Sequence, residues 1–415
     1  MVKEAVILAG GFGTRLRDAV PDLPKCMAPV NEQPFLTYVI RYLLSQGIEK
    51  FIFSLGYKHK FIEEFLETEF PTINYQCCIE HEPLGTGGAI RFSIQKTTGK
   101  NVLVLNGDTL YKIDTAGFSH SHQANSALCS IALKPMKDFD RYGVVELGDD
   151  NIIKDFNEKQ FYPSGLINGG IYLINREAFL QKELPDKFSF EKDFLEKEFM
   201  NKTIFGFVHD NYFIDIGIPG DYKRVQEELK YHAPDLDKVD KSWTLFIDRD
   251  GVINHEKKDD YIRNWQEFHF YDMAKESLAA LSKKFGKVII VSNQRGVGRG
   301  LMTEEDLIHI HKNMEKEIAE AGGHIDKIYY CSSTDIKDFC RKPNPGMALK
   351  AEIDFPDISF SHSLMVGNNS SDMLFGRNAG MFTVFLKTTK PEQALPHPDI
   401  DLSFYSLIDF ARACR

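Results

Sequence analysis

The stretch LFIDRDGVIN at 245–254 decides how this chain is built. An apolar run meets Asp248 and Asp250, spaced one residue apart, and Gly251 then permits a turn. Acid and glycine after a short apolar run mark the carboxyl end of a buried strand, where open α/β sheets place their chemistry. Yet the chain already begins on another such unit, AVILAGGFGTRLR at 5–17, whose apolar strand feeds Gly10, Gly11 and Gly13. Two beginnings of this kind, so far apart, imply two sheets.

Working outward from 245–254, KVIIVSNQ, KIYYCS, SLMVGNN and MFTVFL read as strands, alternating with amphipathic stretches such as DMAKESLAALSKKFG. From the amino end the same rhythm runs through KFIFSLG, HKFIEEFLETEF, NYQCCIE and NVLVLNGD, so both parts are α/β with mainly parallel sheets. Between them YHAPDLDKVDKS has a proline and no packing pattern. The expected division is a domain at 1–232, a linker at 233–242 and a domain at 243–415. A chain of 415 residues exceeds the usual single core, which agrees with two.

The formal net charge of −10 argues against a nucleic-acid binder, because such proteins concentrate Lys and Arg on one face. No stretch of about 18 apolar residues exists to span a membrane, and the start MVKEAVILAGG reaches charge and glycine too soon for a signal peptide. A cytoplasmic chain is expected. Its seven cysteines are scattered and read as reduced side chains. The helical stretch EEDLIHIHKNMEKEIAEAG at 304–322 needs one apolar partner, within its domain or in a second copy. A homo-oligomer stays open.

In the first part, main-chain N–H groups of Gly10, Gly11 and Gly13 suit an anion, with Arg15 and Lys25 adding positive charge. A glycine loop alone also fits a plain strand-to-helix turn, and the GK[ST] ending of a Walker loop is absent. Farther on, VLVLNGDTL and YFIDIGIPGDY each end an apolar run on an aspartate, Asp108 and Asp215. Two strand-end carboxylates suit Mg²⁺, a hard ion that favours oxygen and phosphate. Asp140 and Arg141 either close this pocket or form a surface turn.

These motifs, GGFGTRLR, PKCMAPV and the two aspartates, resemble the sugar-1-phosphate nucleotidyltransferases over residues 1 to about 230. The resemblance implies a Rossmann-like sandwich in which Arg15 and Lys25 act on the triphosphate and Asp108 and Asp215 hold Mg²⁺. It also implies a nucleotide site along Leu8, Gly10, Gly11, Gly13, Thr14, Arg15, Glu80, Gly85 and Asp108. EHEPLGTGGAI at 80–90 would border the base, Lys159 in NEK would meet the sugar phosphate, and Asn168 and Gly169 in INGGIYLI would line the sugar pocket. Glu80 bears on the base: a carboxylate only accepts hydrogen bonds, and guanine offers N1–H and an amino group side by side where uracil offers one N–H. GTP is therefore the expected nucleotide, although a solvated loop glutamate is the plainer reading of Glu80 by itself.

In the second part, Asp248 and Asp250 fit a nucleophile and a general acid, with Ser292, Arg341, Lys342, Asn368 and Asp372 following on later loops. Together they resemble the haloacid dehalogenase-like phosphatases, which implies a second α/β sandwich. Asp248 would then be the nucleophile and Asp250 the acid and base; Ser292 and Lys342 would hold phosphate, and Asn293, Arg341 and Lys342 the substrate. Asp248, Asp250 through its carbonyl, Asn368 and Asp372 would bind Mg²⁺. One departure stands out: relatives usually have Asp where Asn368 lies, so charge is missing there.

DRDGVIN, SNQRGVGRG and YYCSSTDIKDFCRKPNPGM narrow the likeness to heptose 1,7-bisphosphate phosphatases, with histidinol phosphatases nearby. Those relatives often carry a zinc loop, but here Ser333 and Asp338 occupy two of its positions beside Cys331 and Cys340, so structural Zn²⁺ is not expected. The two resemblances together imply synthesis of a GDP-heptose from the bisphosphate, with small sugar phosphates and GTP as the partners. The alternatives are a mannose 1-phosphate guanylyltransferase joined to a phosphatase of another small ester, or joined to an inactive regulatory domain.

Overall fold

Strands form where apolar runs are buried on both faces, and the chain has two sets of them. The structure is a computed structural model that describes residues 2–11, 22–230, 232–258 and 260–414. The chain divides into two compact units, 1–230 and 231–415. Of the residues read as a linker, Val239 is 1% exposed and belongs to the second unit's core.

In the first unit a seven-stranded sheet runs in the order Ile204–Val208, Cys129–Phe139, Tyr162–Asn175, Asn101–Asn106, Glu4–Leu8, Lys50–Leu55, Asn74–Ile79. Its pairs are parallel except for Tyr162–Asn175, which runs against both neighbours. The sheet is therefore mixed, and its parallel centre directs the ends of Glu4–Leu8 and Asn101–Asn106 to one edge. A two-stranded ribbon then pairs Phe213–Asp215 antiparallel with Thr109–Tyr111, placing Asp215 opposite Thr109. That register brings Asp215 next to Asp108.

In the second unit a six-stranded sheet is parallel throughout, in the order Lys327–Cys331, Lys287–Asn293, Thr244–Ile247, Ser363–Gly367, Phe382–Leu386, Leu402–Phe404. Successive side chains alternate between two cores. Leu245 and Ile247 face one, with Leu278, Leu307, Ile310 and Phe410 from the covering helices. Phe246 faces the other, with Met347, Ala351 and Phe375. This double burial is why the strands read as unbroken apolar runs. The helix Glu304–Glu320 starts on a capping box of Thr303 and Asp306 and buries Leu307, Ile310, Met314 and Ile318 within its own unit. Among the described residues no helix is long and apolar enough to cross a membrane.

Separate cores predict separable unfolding. Phe246 is fully buried, so Phe246→Ala should cost the second unit about 3–5 kcal/mol. In a denaturant titration the first unit's transition should keep its midpoint; an equal shift of both would mean that the units share one cooperative core.

Candidate functional site

The carboxyl edge of the first sheet brings together Lys25, Asp108 and Asp215, and Gly10 meets Glu80 just beyond Glu4–Leu8. Gly10, which follows Glu4–Leu8, lies against Gly56 and the Glu80 carboxylate, while Leu8 is half-buried and Gly11 exposed. Gly13, Thr14 and Arg15 lie outside the described residues. Glu80 accepts from Ser54 Oγ at 3.2 Å on one oxygen and from the Leu84 N–H at 3.1 Å on the other. Each carboxylate oxygen keeps a second acceptor direction, and two donors hold the group in place. Gly85 sits at φ +72°, with its Cβ direction 2.5 Å from the Phe188 carbonyl, so only glycine fits this turn.

Lys25 is the centre of the cluster. Its Nζ lies 2.5 Å from Asp108 Oδ2 and 3.0 Å from Asp215 Oδ1. Burial alone would lower its pKa, but the two carboxylates outweigh burial and raise it, so the ammonium persists. The carboxylates converge on a single cation and keep further oxygen lone pairs, the donor chemistry that a hard divalent ion takes.

Asn168 and Gly169 fall at a register shift in Tyr162–Asn175, with Gly169 against the Tyr111 ring. Asn168 Nδ2 donates to the Tyr172 hydroxyl at 2.9 Å, which in turn stands 3.5 Å from Glu191 Oε1. Glu191 Oε2 accepts from Thr86 Oγ1 at 3.2 Å. Thr86, Tyr172 and Glu191 thus form one polar wall with Asn168 that sequence reading missed. Lys159 is exposed on the turn after Ile153–Phe156 and makes no ion pair among the described residues. Arg141 pairs with Asp221 at 2.7 Å and also feels the charge of Asp215.

The second unit assembles its predicted residues more tightly. Asp248 is held at the end of Thr244–Ile247 by its N–H, which donates to the Val366 carbonyl at 2.9 Å. Lys342 Nζ bonds Asp248 Oδ1 and Asp372 Oδ1, each at 2.7 Å, and donates to the Val291 carbonyl at 2.9 Å. Asn293 fastens the Lys342 backbone through two hydrogen bonds of 3.1 Å. Ser292 Oγ is buried and accepts from Gln294. Burial pushes the Asp248 carboxyl up, with Asp372 and Asp250 adding to the push against Lys342. For Asp250 burial pushes the same way, but Arg249, Asn254 and Gln294 prevail and hold it below the usual range. Asn368 is fully buried, and its Oδ1 has no hydrogen-bond partner among the described residues. An orphaned acceptor beside Asp372 fits a bound Mg²⁺.

Arg341 donates to the carbonyls of Thr334 at 2.9 Å and Ser333 at 3.4 Å. Burial lowers its pKa, as does the positive charge of Arg295 and Arg299 close by, so three guanidinium groups crowd this rim. One expectation needs correction. Cys331 and Cys340 are joined in a disulfide, their Cα atoms 5.8 Å apart, because the loop 332–339 returns to the strand it left. Asp338 offers a carboxylate within 4.8 Å of both sulfurs, but paired sulfurs supply no thiolate to a metal. The other five cysteines are free.

Sequence reading also missed what holds Asp250. Arg249, fully buried, gives N–H groups to both Asp250 oxygens, to Gln294 Oε1 at 3.2 Å and to His311 Nε2 at 3.1 Å. His311 must accept from Arg249 and so is neutral; burial, with Arg249's charge, pushes its pKa from 6.5 to about 3. The unfolded ring binds a proton that the folded ring refuses, so stability from this group falls as pH drops from about 6.5 toward about 3. Unfolding of the second unit should therefore lose stability more steeply across that range than in His311→Gln, whose amide oxygen still accepts from Arg249. Equal slopes would reject the neutral-ring assignment.

Family models match each half: that of the nucleotidyl transferases at residues 4–231 and that of the polynucleotide kinase 3 phosphatases at 243–409. A D-glycero-alpha-D-manno-heptose 1-phosphate guanylyltransferase of Aneurinibacillus thermoaerophilus is 49% identical over 55% of this chain and 99% of its own. A D-glycero-alpha-D-manno-heptose-1,7-bisphosphate 7-phosphatase of Mycobacterium tuberculosis is 35% identical over 41% of this chain and 90% of its own. The crystal structure of HddC from Yersinia pseudotuberculosis complexed with GMP-PN superposes with a TM-score of 0.50 at 36% identity, covering 55% of this chain and all of that one.

Proposed function

The chain belongs to the nucleotidyl transferase family through its first half and to the heptose bisphosphate phosphatases through its second, and from that premise we propose that it carries out two consecutive steps of GDP-heptose synthesis. The observation that carries the reading is that each sheet edge holds a lysine between two aspartates, in halves similar to enzymes of successive reactions.

In the second unit Asp248 attacks the 7-phosphate of D-glycero-D-manno-heptose 1,7-bisphosphate. The P–O bond to the sugar breaks, and Asp250 gives its proton to the departing oxygen. Water, deprotonated by Asp250, then attacks the aspartyl-phosphate and releases orthophosphate, freeing Asp248. Asp250 is held ionised before substrate arrives; the negative charge of the incoming phosphate raises its carboxyl and lets it take up the proton it must donate. Lys342 and Ser292 hold the phosphoryl oxygens, and Arg341, with Arg295 and Arg299 near it, offers positive charge to the second phosphate.

In the first unit a phosphate oxygen of heptose 1-phosphate attacks the α-phosphorus of GTP, and pyrophosphate leaves. Lys25 and Arg15 oppose the charge of the triphosphate, Glu80 accepts from the guanine edge, and Asn168 and Glu191, held by the buried Tyr172 between them, meet sugar hydroxyls. Guanine specificity is supported by the likeness to a structure solved with GMP-PN. Mg²⁺ suits Asp108 and Asp215 here and Asp248, Asp372, Asn368 and the Asp250 carbonyl in the second unit, where it would neutralise phosphoryl oxygens. A cytoplasmic location is part of the same proposal, because it is where GTP is supplied.

Purified protein supplied with Mg²⁺, GTP and the heptose bisphosphate should release orthophosphate and pyrophosphate. Asp248→Asn should abolish orthophosphate release while pyrophosphate still forms from added heptose 1-phosphate, and Asp108→Asn should do the reverse, each lowering its own reaction by at least about 100-fold. Pyrophosphate with mannose 1-phosphate but not with the heptose would overturn the sugar assignment.

A further inference from the structure

Asn368 occupies a metal-ligand position with a neutral group, and the residues around its amide resolve how it serves. An amide nitrogen has two N–H donors, and both are used: Asn368 Nδ2 lies 2.8 Å from Thr389 Oγ1 and 3.4 Å from Glu256 Oε2. The opposite end, Oδ1, is the buried acceptor without a partner. Turned over, the amide would set its oxygen against the Glu256 carboxylate, acceptor facing acceptor. Glu256 therefore dictates which end looks inward.

Gly251 makes this approach possible. At φ +81° it lies directly beneath the pair, where an added Cβ would stand 2.1 Å from Asn368 Nδ2 and 2.9 Å from Glu256 Oε2. Thr388 Oγ1 bonds the Gly251 carbonyl at 2.5 Å, so the segment carrying Thr389 is tied to the same turn. The turn, the threonine and the glutamate thus surround one amide.

From this arrangement we infer that Glu256 is a positioning residue for the phosphatase metal: it orients Asn368 and, by accepting its N–H, polarises Oδ1 toward a cation. A carboxylate bonded to a ligand raises that ligand's donor strength. The negative charge that an aspartate would supply directly is supplied one residue further out. Glu256 follows the DRDGVIN stretch and stands at the exposed rim, where a plain surface glutamate would look the same in sequence.

The inference rests on the phosphatase reading, and the test separates the two. Mn²⁺ binding to the full chain is followed by electron paramagnetic resonance of the free ion, in an Asp215→Asn background that disables the first unit's carboxylate pair. Glu256→Gln should weaken Mn²⁺ binding about 10- to 100-fold, and adding Asn368→Asp should restore it, because charge returns to the ligand itself. Unchanged binding in Glu256→Gln overturns the inference. Weakened binding that Asn368→Asp fails to restore also overturns it, since Glu256 would then matter for the shape of the turn and not for charge. A parent chain that binds no Mn²⁺ in this unit would defeat the phosphatase reading as well, a result distinct from the other two.

Discussion

Two ionised carboxylates held side by side at the edge of a sheet repel each other, and both units offset that repulsion with a lysine. At an effective dielectric of about 20, like charges about 4 Å apart repel by about 4 kcal/mol. Lys25 answers this for Asp108 and Asp215, and Lys342 for Asp248 and Asp372. When both carboxylates are ionised, one ammonium leaves such a cluster with a single negative charge. Such a cluster repels phosphate until a further cation enters, which gives a physical reason for a divalent ion to accompany the substrate. The lysine then has a second partner in the phosphoryl oxygens.

The two lysines differ in how firmly they are held. Lys342 is 3% exposed and bonded to the Val291 carbonyl, with its backbone fastened by Asn293. It sits in a turn, but the strand Lys287–Asn293 holds it at both its backbone and its ammonium. Lys25 instead follows the segment 12–21 and reaches the sheet edge from outside it, its side chain 16% exposed. A lysine fixed in the core suits a small phosphoryl group that always arrives in one place. One held by fewer bonds, on the short helical turn Lys25–Met27, suits a triphosphate that must bind in one form and depart as pyrophosphate.

What sequence made legible was whatever a short run of residues states by itself. Apolar runs ended by Asp108, Asp215 and Asp248 announced strand ends, and the double burial of Leu245, Phe246 and Ile247 made the run unbroken. That Asp215 meets Asp108 depends on the register of a short ribbon with Thr109–Tyr111, which no local pattern encodes. The wall of Thr86, Tyr172 and Glu191 comes from three separate segments whose polar residues look ordinary one at a time. Arg249 reads as a surface residue between two acids, and only the fold reveals that it is buried against His311. The cysteine pair escaped for the same reason: closing 331 to 340 requires the loop to return to its own strand.

Joining the two reactions in one chain has a consequence that does not depend on how the units are arranged. The phosphatase acts on the phosphate at one end of the sugar and the transferase on the phosphate at the other, so the intermediate must leave one site and enter the second by its opposite end. Fusion cannot spare it that turn; it fixes one catalyst of each kind per chain. Ester hydrolysis runs strongly downhill, whereas nucleotidyl transfer exchanges one phosphoanhydride for another and is nearly balanced. A hydrolytic step held at equal numbers with a reversible one keeps its substrate supplied and biases it forward. The gain lies in matched supply, and it requires no tunnel between the sites.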